Sequence, residues 1–136
     1  MMIKLALSTI AAVFLLSACE TTPRVEISTE QAEALKTTWL GKKWAGSWGG
    51  DCTGSVEVLE VSGNRAKVNY KWGHCGDAAP GYFIDDNATL SEREMKVTLW
   101  RRTTADYTLQ SDGSLIGIYN SPRRQTTGRG TFTLVQ

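Results

Sequence analysis

Residues 55–72 read SVEVLEVSGNRAKVNYKW, and this stretch decides the fold class. In its second half Ala66, Val68, Tyr70 and Trp72 alternate with Arg65, Lys67, Asn69 and Lys71. That period of two marks a strand with one buried face. The first half, 55–61, supplies a second strand from Val56, Val58, Leu59 and Val61. Between them stands Gly63-Asn64, whose glycine fits the positive φ of a two-residue hairpin turn. A turn there pairs Ser62 with Arg65, Glu60 with Lys67 and Leu59 with Val68, placing opposite charges across the strands. The same register sets Cys52 opposite Cys75. Val56 and Val58 lie in opposite parity to Leu59 and Val61, however. Either both faces are apolar there or a bulge intervenes and moves the cysteines by one place.

Outward from this hairpin, strands are predicted at 44–48, 82–90, 95–102, 106–110, 114–119 and 130–135, with Asp112-Gly113 as a tight turn. The fold class is all-β: a small antiparallel up-and-down barrel of about eight strands, a number that closes a sheet and removes its exposed edges. A short helix precedes it. Ser28-Thr29-Glu30-Gln31 has the capping-box pattern, Ala32, Leu35 and Trp39 share one helical face, and Gly41 stops a helix over 29–39. Its apolar stripe packs on the domain; insertion among lipid headgroups is the alternative.

The chain of 136 residues holds one such domain. Residues 1–4 begin with a positive charge at Lys4, residues 5–16 are apolar, and Leu16-Ser17-Ala18-Cys19 follows. The apolar run has signal-peptide length and is too short to span a bilayer. The last four residues resemble the lipobox of bacterial lipoproteins. That resemblance implies removal of signal peptide 1–18 and a diacylglycerol thioether on Cys19, with acyl chains such as palmitate. Two or three such chains anchor a protein almost permanently. Glu20, where an aspartate would retain the protein at the inner membrane, favours an outer-membrane lipoprotein facing the periplasm of the bacterial cell envelope. Residues 19–27 then form a tether, and 28–136 form the domain.

With Cys19 lipidated, Cys52 and Cys75 remain as a pair in an oxidising compartment and predict a disulfide bond. Its loop of about two dozen residues corresponds to roughly 3 to 4 kcal/mol in the chain-entropy model. Neither His74 beside Cys75 nor Asp85-Asp86-Asn87 has the spacing of a zinc or calcium site, so no metal and no cofactor is expected. The chain carries 15 Lys and Arg against 14 Asp and Glu, which argues against nucleic acid as a partner. No catalytic motif is present and His74 is the sole histidine, so no enzyme and no catalytic residue is expected.

Gly46-Ser47-Trp48 looks like the Gly-x-Trp of lipocalins. Tyr70-Lys71-Trp72-Gly73, Pro80-Gly81 and Asp112-Gly113-Ser114-Leu115 resemble small bacterial lipocalin-like domains. The resemblance implies that Arg129, or second Arg101, stacks on Trp48 and closes the barrel floor, with Gly46 as the structural glycine. Strands of six or seven residues favour an interior filled by its own side chains over a deep pocket. Tyr70, Trp72 and Trp100, with Arg101 fixing a polar end, are the candidate ligand-binding residues. The expected function is non-enzymatic binding of a small apolar or amphiphilic ligand by a membrane-anchored periplasmic lipoprotein. The alternatives are an inhibitor-like module that binds an envelope protein through 73–81 or 120–128, and a structural envelope lipoprotein.

Overall fold

The computed structural model describes residues 26–136 apart from residue 77. The segment 1–18 expected to be an export signal, and Cys19, lie outside the described residues. The helix α1 (Thr29–Trp39) begins where the capping box places it: Ser28 Oγ accepts from the Gln31 amide at 3.1 Å, and the Gln31 side chain accepts from the Ser28 amide at 3.0 Å. Two of the helix's orphan donors are thereby satisfied.

Eight strands follow: β1 (Lys43–Ser47), β2 (Thr53–Ser62), β3 (Arg65–Trp72), β4 (Gly81–Leu90), β5 (Glu94–Thr98), β6 (Thr104–Leu109), β7 (Leu115–Ser121) and β8 (Thr126–Leu134). Each pairs antiparallel with its neighbour in sequence, and β1 pairs with β8, so the sheet is a closed up-and-down barrel. The barrel therefore has two ends. Turns 63–64, 91–93 and 110–114 lie at one; connections 48–52, 73–80, 99–103 and 122–125 lie at the other, which we call the mouth.

The end away from the mouth is closed by two tryptophans. Trp39 of α1 and Trp44 of β1 are almost fully buried with ring centroids 5.7 Å apart. Their indole N–H groups donate to Ser91 O at 3.0 Å and Gly113 O at 2.9 Å, carbonyls in two turns of that end. Helix α1 thus packs on the domain as a plug. Above it, Val58, Val68, Met95, Val97, Tyr107, Leu115 and Phe132 fill the interior, as short strands imply.

The parity conflict in β2 resolves as a bulge. Glu60 stands opposite Lys67, but Val58, not Leu59, stands opposite Val68. Leu59 is left without a partner and points outward at 38% exposure, so Val56, Val58 and Val61 all face the core. A second irregularity accommodates Asp85-Asp86-Asn87 in β4. Asp85 accepts from the Asn87 amide at 2.9 Å and from the Thr98 amide at 2.8 Å, clasping β4 to β5 where their direct pairing is limited to two residue pairs.

The strand predicted at 95–102 ends at Thr98. Trp100–Arg102 instead forms a tight turn in which Arg101 and Arg102 have φ of 53° and 61°, left-handed values that no strand residue adopts. The loop expected at 120–128 is mostly strand: β7 and β8 pair as far as Ser121↔Thr126, leaving a turn at 122–125.

Candidate functional site

Two adjoining cavities open at the mouth. The larger, about 340 Å³, has walls from Trp48, Tyr70, Trp72, Trp100 and Tyr119, the Cys52–Cys75 disulfide, and Arg124 with residues 126–128. The smaller, about 250 Å³, is bounded by Trp100, Arg101, Thr103, Tyr119, Ser121, Arg123 and Arg124. Trp100, Tyr119 and Arg124 belong to both, so one site has an aromatic lobe and a cationic lobe.

Local folding explains each wall. The alternation that buries Val68 and Tyr70 carries Trp72 to the inner face at the top of β3, where its indole N–H donates to Ala79 O at 2.9 Å and holds the 73–80 connection. The disulfide pins the same connection to the start of β2. It forms despite the bulge because both cysteines lie beyond the last β2–β3 pair, Gly54↔Trp72, where the ladder no longer dictates their separation. The left-handed turn after β5 brings Trp100 back over the barrel, 5.0 Å from Trp72 and 5.7 Å from Phe83 between ring centroids. Tyr70 lies 6.0 Å from Trp72, which completes a continuous aromatic wall.

Beneath it, Trp48 forms the floor. Its ring packs against Phe132 at 4.8 Å, Tyr119 at 5.8 Å and Tyr107 at 5.9 Å. A Cβ at Gly117 would stand 2.7 Å from that ring, so the indole lies directly over a bare backbone. Among the described residues the buried Nε1 of Trp48 has no partner, which leaves a polar group at the base of the aromatic lobe, and the hydroxyl of Tyr107, deeper in the core, has none either. Burial pushes the Tyr70 hydroxyl up to about 12, and the nearby Tyr119 adds to the rise. Burial raises Tyr107 well above its usual range, with Tyr70 contributing. Both hydroxyls are therefore neutral donors at physiological pH.

The structure brings Tyr70, Trp72, Trp100 and Arg101 together, although 27 residues of chain lie between Trp72 and Trp100. It does not place Arg129 on Trp48. Gly128, Gly130 and Phe132 face inward along β8, so Arg129 points outward and is exposed, and the ring contacts of Trp48 are aromatic. Arg101 lines the cationic lobe instead of that floor. Gly46 pairs with Phe132 across the β1–β8 closure, where a Cβ would collide with the Thr131 carbonyl oxygen. Sequence reasoning did not assign Tyr119, Thr103 or Ser121 to the site. The burial of the two hydroxyl residues, each 3% exposed, emerges only once β6 and β7 pair.

No protein-family model matches this chain, and comparison with curated proteins and with solved structures finds no similar one.

Proposed function

We propose that this protein is a non-enzymatic, lipocalin-like binding lipoprotein, held to the outer membrane through Cys19 and facing the periplasm, whose mouth takes a small amphiphilic ligand. The observation that carries this reading is the junction of an aromatic lobe with an arginine lobe across Trp100, Tyr119 and Arg124. An apolar chain or ring is desolvated against Tyr70, Trp72 and Trp100 while its polar end stays at the rim. The volume of the aromatic lobe, about 340 Å³, suits a short chain or a single ring system more than a whole diacyl lipid.

Binding is expected to perturb tryptophan emission, because Trp48, Trp72 and Trp100 all line the lobe. Delipidated protein titrated with a panel of fatty acids and lysophospholipids should give a saturable change that Trp100→Ala weakens about tenfold. A flat response across the whole panel, with no lipid retained from the cell, overturns the reading.

A further inference from the structure

We infer that the smaller lobe is an oxyanion site, so that the ligand's polar end is a carboxylate or a phosphate. This rests on the amphiphile reading above and specifies its head. Arg101, Arg123 and Arg124 come from two separate connections and line one cavity of about 250 Å³. None of the described residues lining it is acidic. Among the described residues the ion pairs are Lys36–Glu33 and Lys67–Asp86, both remote from the mouth, so these three guanidinium groups have no carboxylate partner.

The rest of the lining also donates. Thr103 and Ser121 are each 3% exposed, and their hydroxyls hydrogen-bond to one another at 3.4 Å. A pair of hydroxyls bonded to each other keeps one proton over, and no protein acceptor takes it among the described residues. A lobe that offers a buried hydroxyl proton beneath unpaired guanidinium groups complements an acceptor-rich, negatively charged group. Neutral or cationic heads leave those donors unanswered. Both turns that carry the arginines hold non-glycine residues at left-handed φ, Arg101 and Arg102 in one and Gln125 at 52° in the other. Such strain persists only where the surrounding structure enforces it.

The test uses probes that share one twelve-carbon tail below micelle formation: dodecanoate, dodecyl phosphate and the uncharged monolauroylglycerol, with inorganic phosphate as a tailless control. At low salt the anionic probes are expected to bind at least about tenfold tighter than the neutral one, with the advantage shrinking as salt rises. The tighter of the two anions identifies the head. In an R123Q/R124Q double variant the anionic-to-neutral ratio should fall to near one. An R93Q/R129Q double variant removes an equal charge away from the mouth, at the opposite end and on the outer face, and should leave the ratio intact. Equal affinities for anionic and neutral probes in the wild type overturn the oxyanion site while sparing the amphiphile reading. Inorganic phosphate binding as tightly as dodecyl phosphate keeps the oxyanion and overturns the amphiphile. Failure of every probe to bind overturns both.

Discussion

Replacing Trp39 with alanine tests whether helix α1 is a structural plug of the barrel. The Trp39 side chain is 0% exposed, tilts against Trp44 at 5.7 Å and donates to Ser91 O at 3.0 Å. An aromatic side chain of this kind buries about 200 Å², which at about 25 cal/mol per Å² gives an upper bound near 5 kcal/mol. Alanine retains about 1 kcal/mol of that burial. Loss of the hydrogen bond, which leaves the Ser91 carbonyl to find water, removes about another 1 kcal/mol. The expected destabilisation is therefore about 3 to 5 kcal/mol, in line with aromatic-to-alanine substitutions in other cores. Against a total of roughly 5 to 15 kcal/mol for a domain, such a loss is large. Urea unfolding of the protein with the disulfide intact reads it directly. Trp39→Phe separates the two contributions, keeping most of the packing and losing the donor, with an expected loss of about 1 to 2 kcal/mol. A loss below about 1 kcal/mol for the alanine variant refutes the plug, because a helix that detaches without consequence was never part of the core.

Three further outcomes follow from the same geometry. Removing the bridge as C52A/C75A should cost roughly 3 to 4 kcal/mol in urea and weaken ligand binding, since both cysteines line the aromatic lobe; an unchanged midpoint contradicts the assigned role. Because the β2 bulge turns Val58 inward at 0% exposure and Leu59 outward at 38%, Val58→Ala should destabilise by about 2 kcal/mol and Leu59→Ala by less than about 1 kcal/mol. The reverse order restores the unbulged register. The Tyr70 hydroxyl, ordinarily at 10.0, is raised to about 12 by burial, so the fold favours its protonated form. The associated stability, roughly 2 to 3 kcal/mol, is fully present below about pH 10 and lost as pH rises through about 12. Urea midpoints measured across that interval should fall steeply in the wild type and less steeply in Tyr70→Phe; parallel curves refute the assignment.

Much of the fold was legible from local patterns. The capping box fixed α1, and strict alternation over 65–72 fixed β3 with its inward face, because both signals are carried by neighbouring residues. The bulge at Leu59 announced itself as a parity conflict but could not be assigned, since two apolar faces produce the same pattern. The end of β5 was misread because Leu99-Trp100-Arg101-Arg102 has ordinary strand composition. The left-handed turn there lacks the glycine that would normally betray it. That misreading bears on the site. A strand through Arg102 would have sent Trp100 and Arg101 to opposite faces, whereas the turn lets both meet the mouth. Arg129 failed as a floor residue for a related reason: its face is set by the parity of Gly130 and Phe132, and the family-like motif at Trp48 carries no information about β8.

The division of the barrel into two halves bears on how the site tolerates its own strain. The closed end is held by Trp39 and Trp44 with their paired indoles, and the middle is packed by valines, Met95 and Leu115. Little of that core depends on the mouth turns. Trp100 at 40% exposure, the left-handed arginines and the unpaired donor at Trp48 would each be a liability in a core that relied on them. Here they sit above a structure already complete, tied down by one disulfide, the Trp72–Ala79 hydrogen bond and the Asp85 clasp to Thr98. Apart from the disulfide, whose loss loosens the whole chain, substitutions at the mouth rim such as Trp100, Arg123 and Arg124 should consequently change affinity more than stability, and substitutions at the tryptophan plug the opposite. A protein in which both sets moved the unfolding midpoint equally would have a mouth that is simply more core.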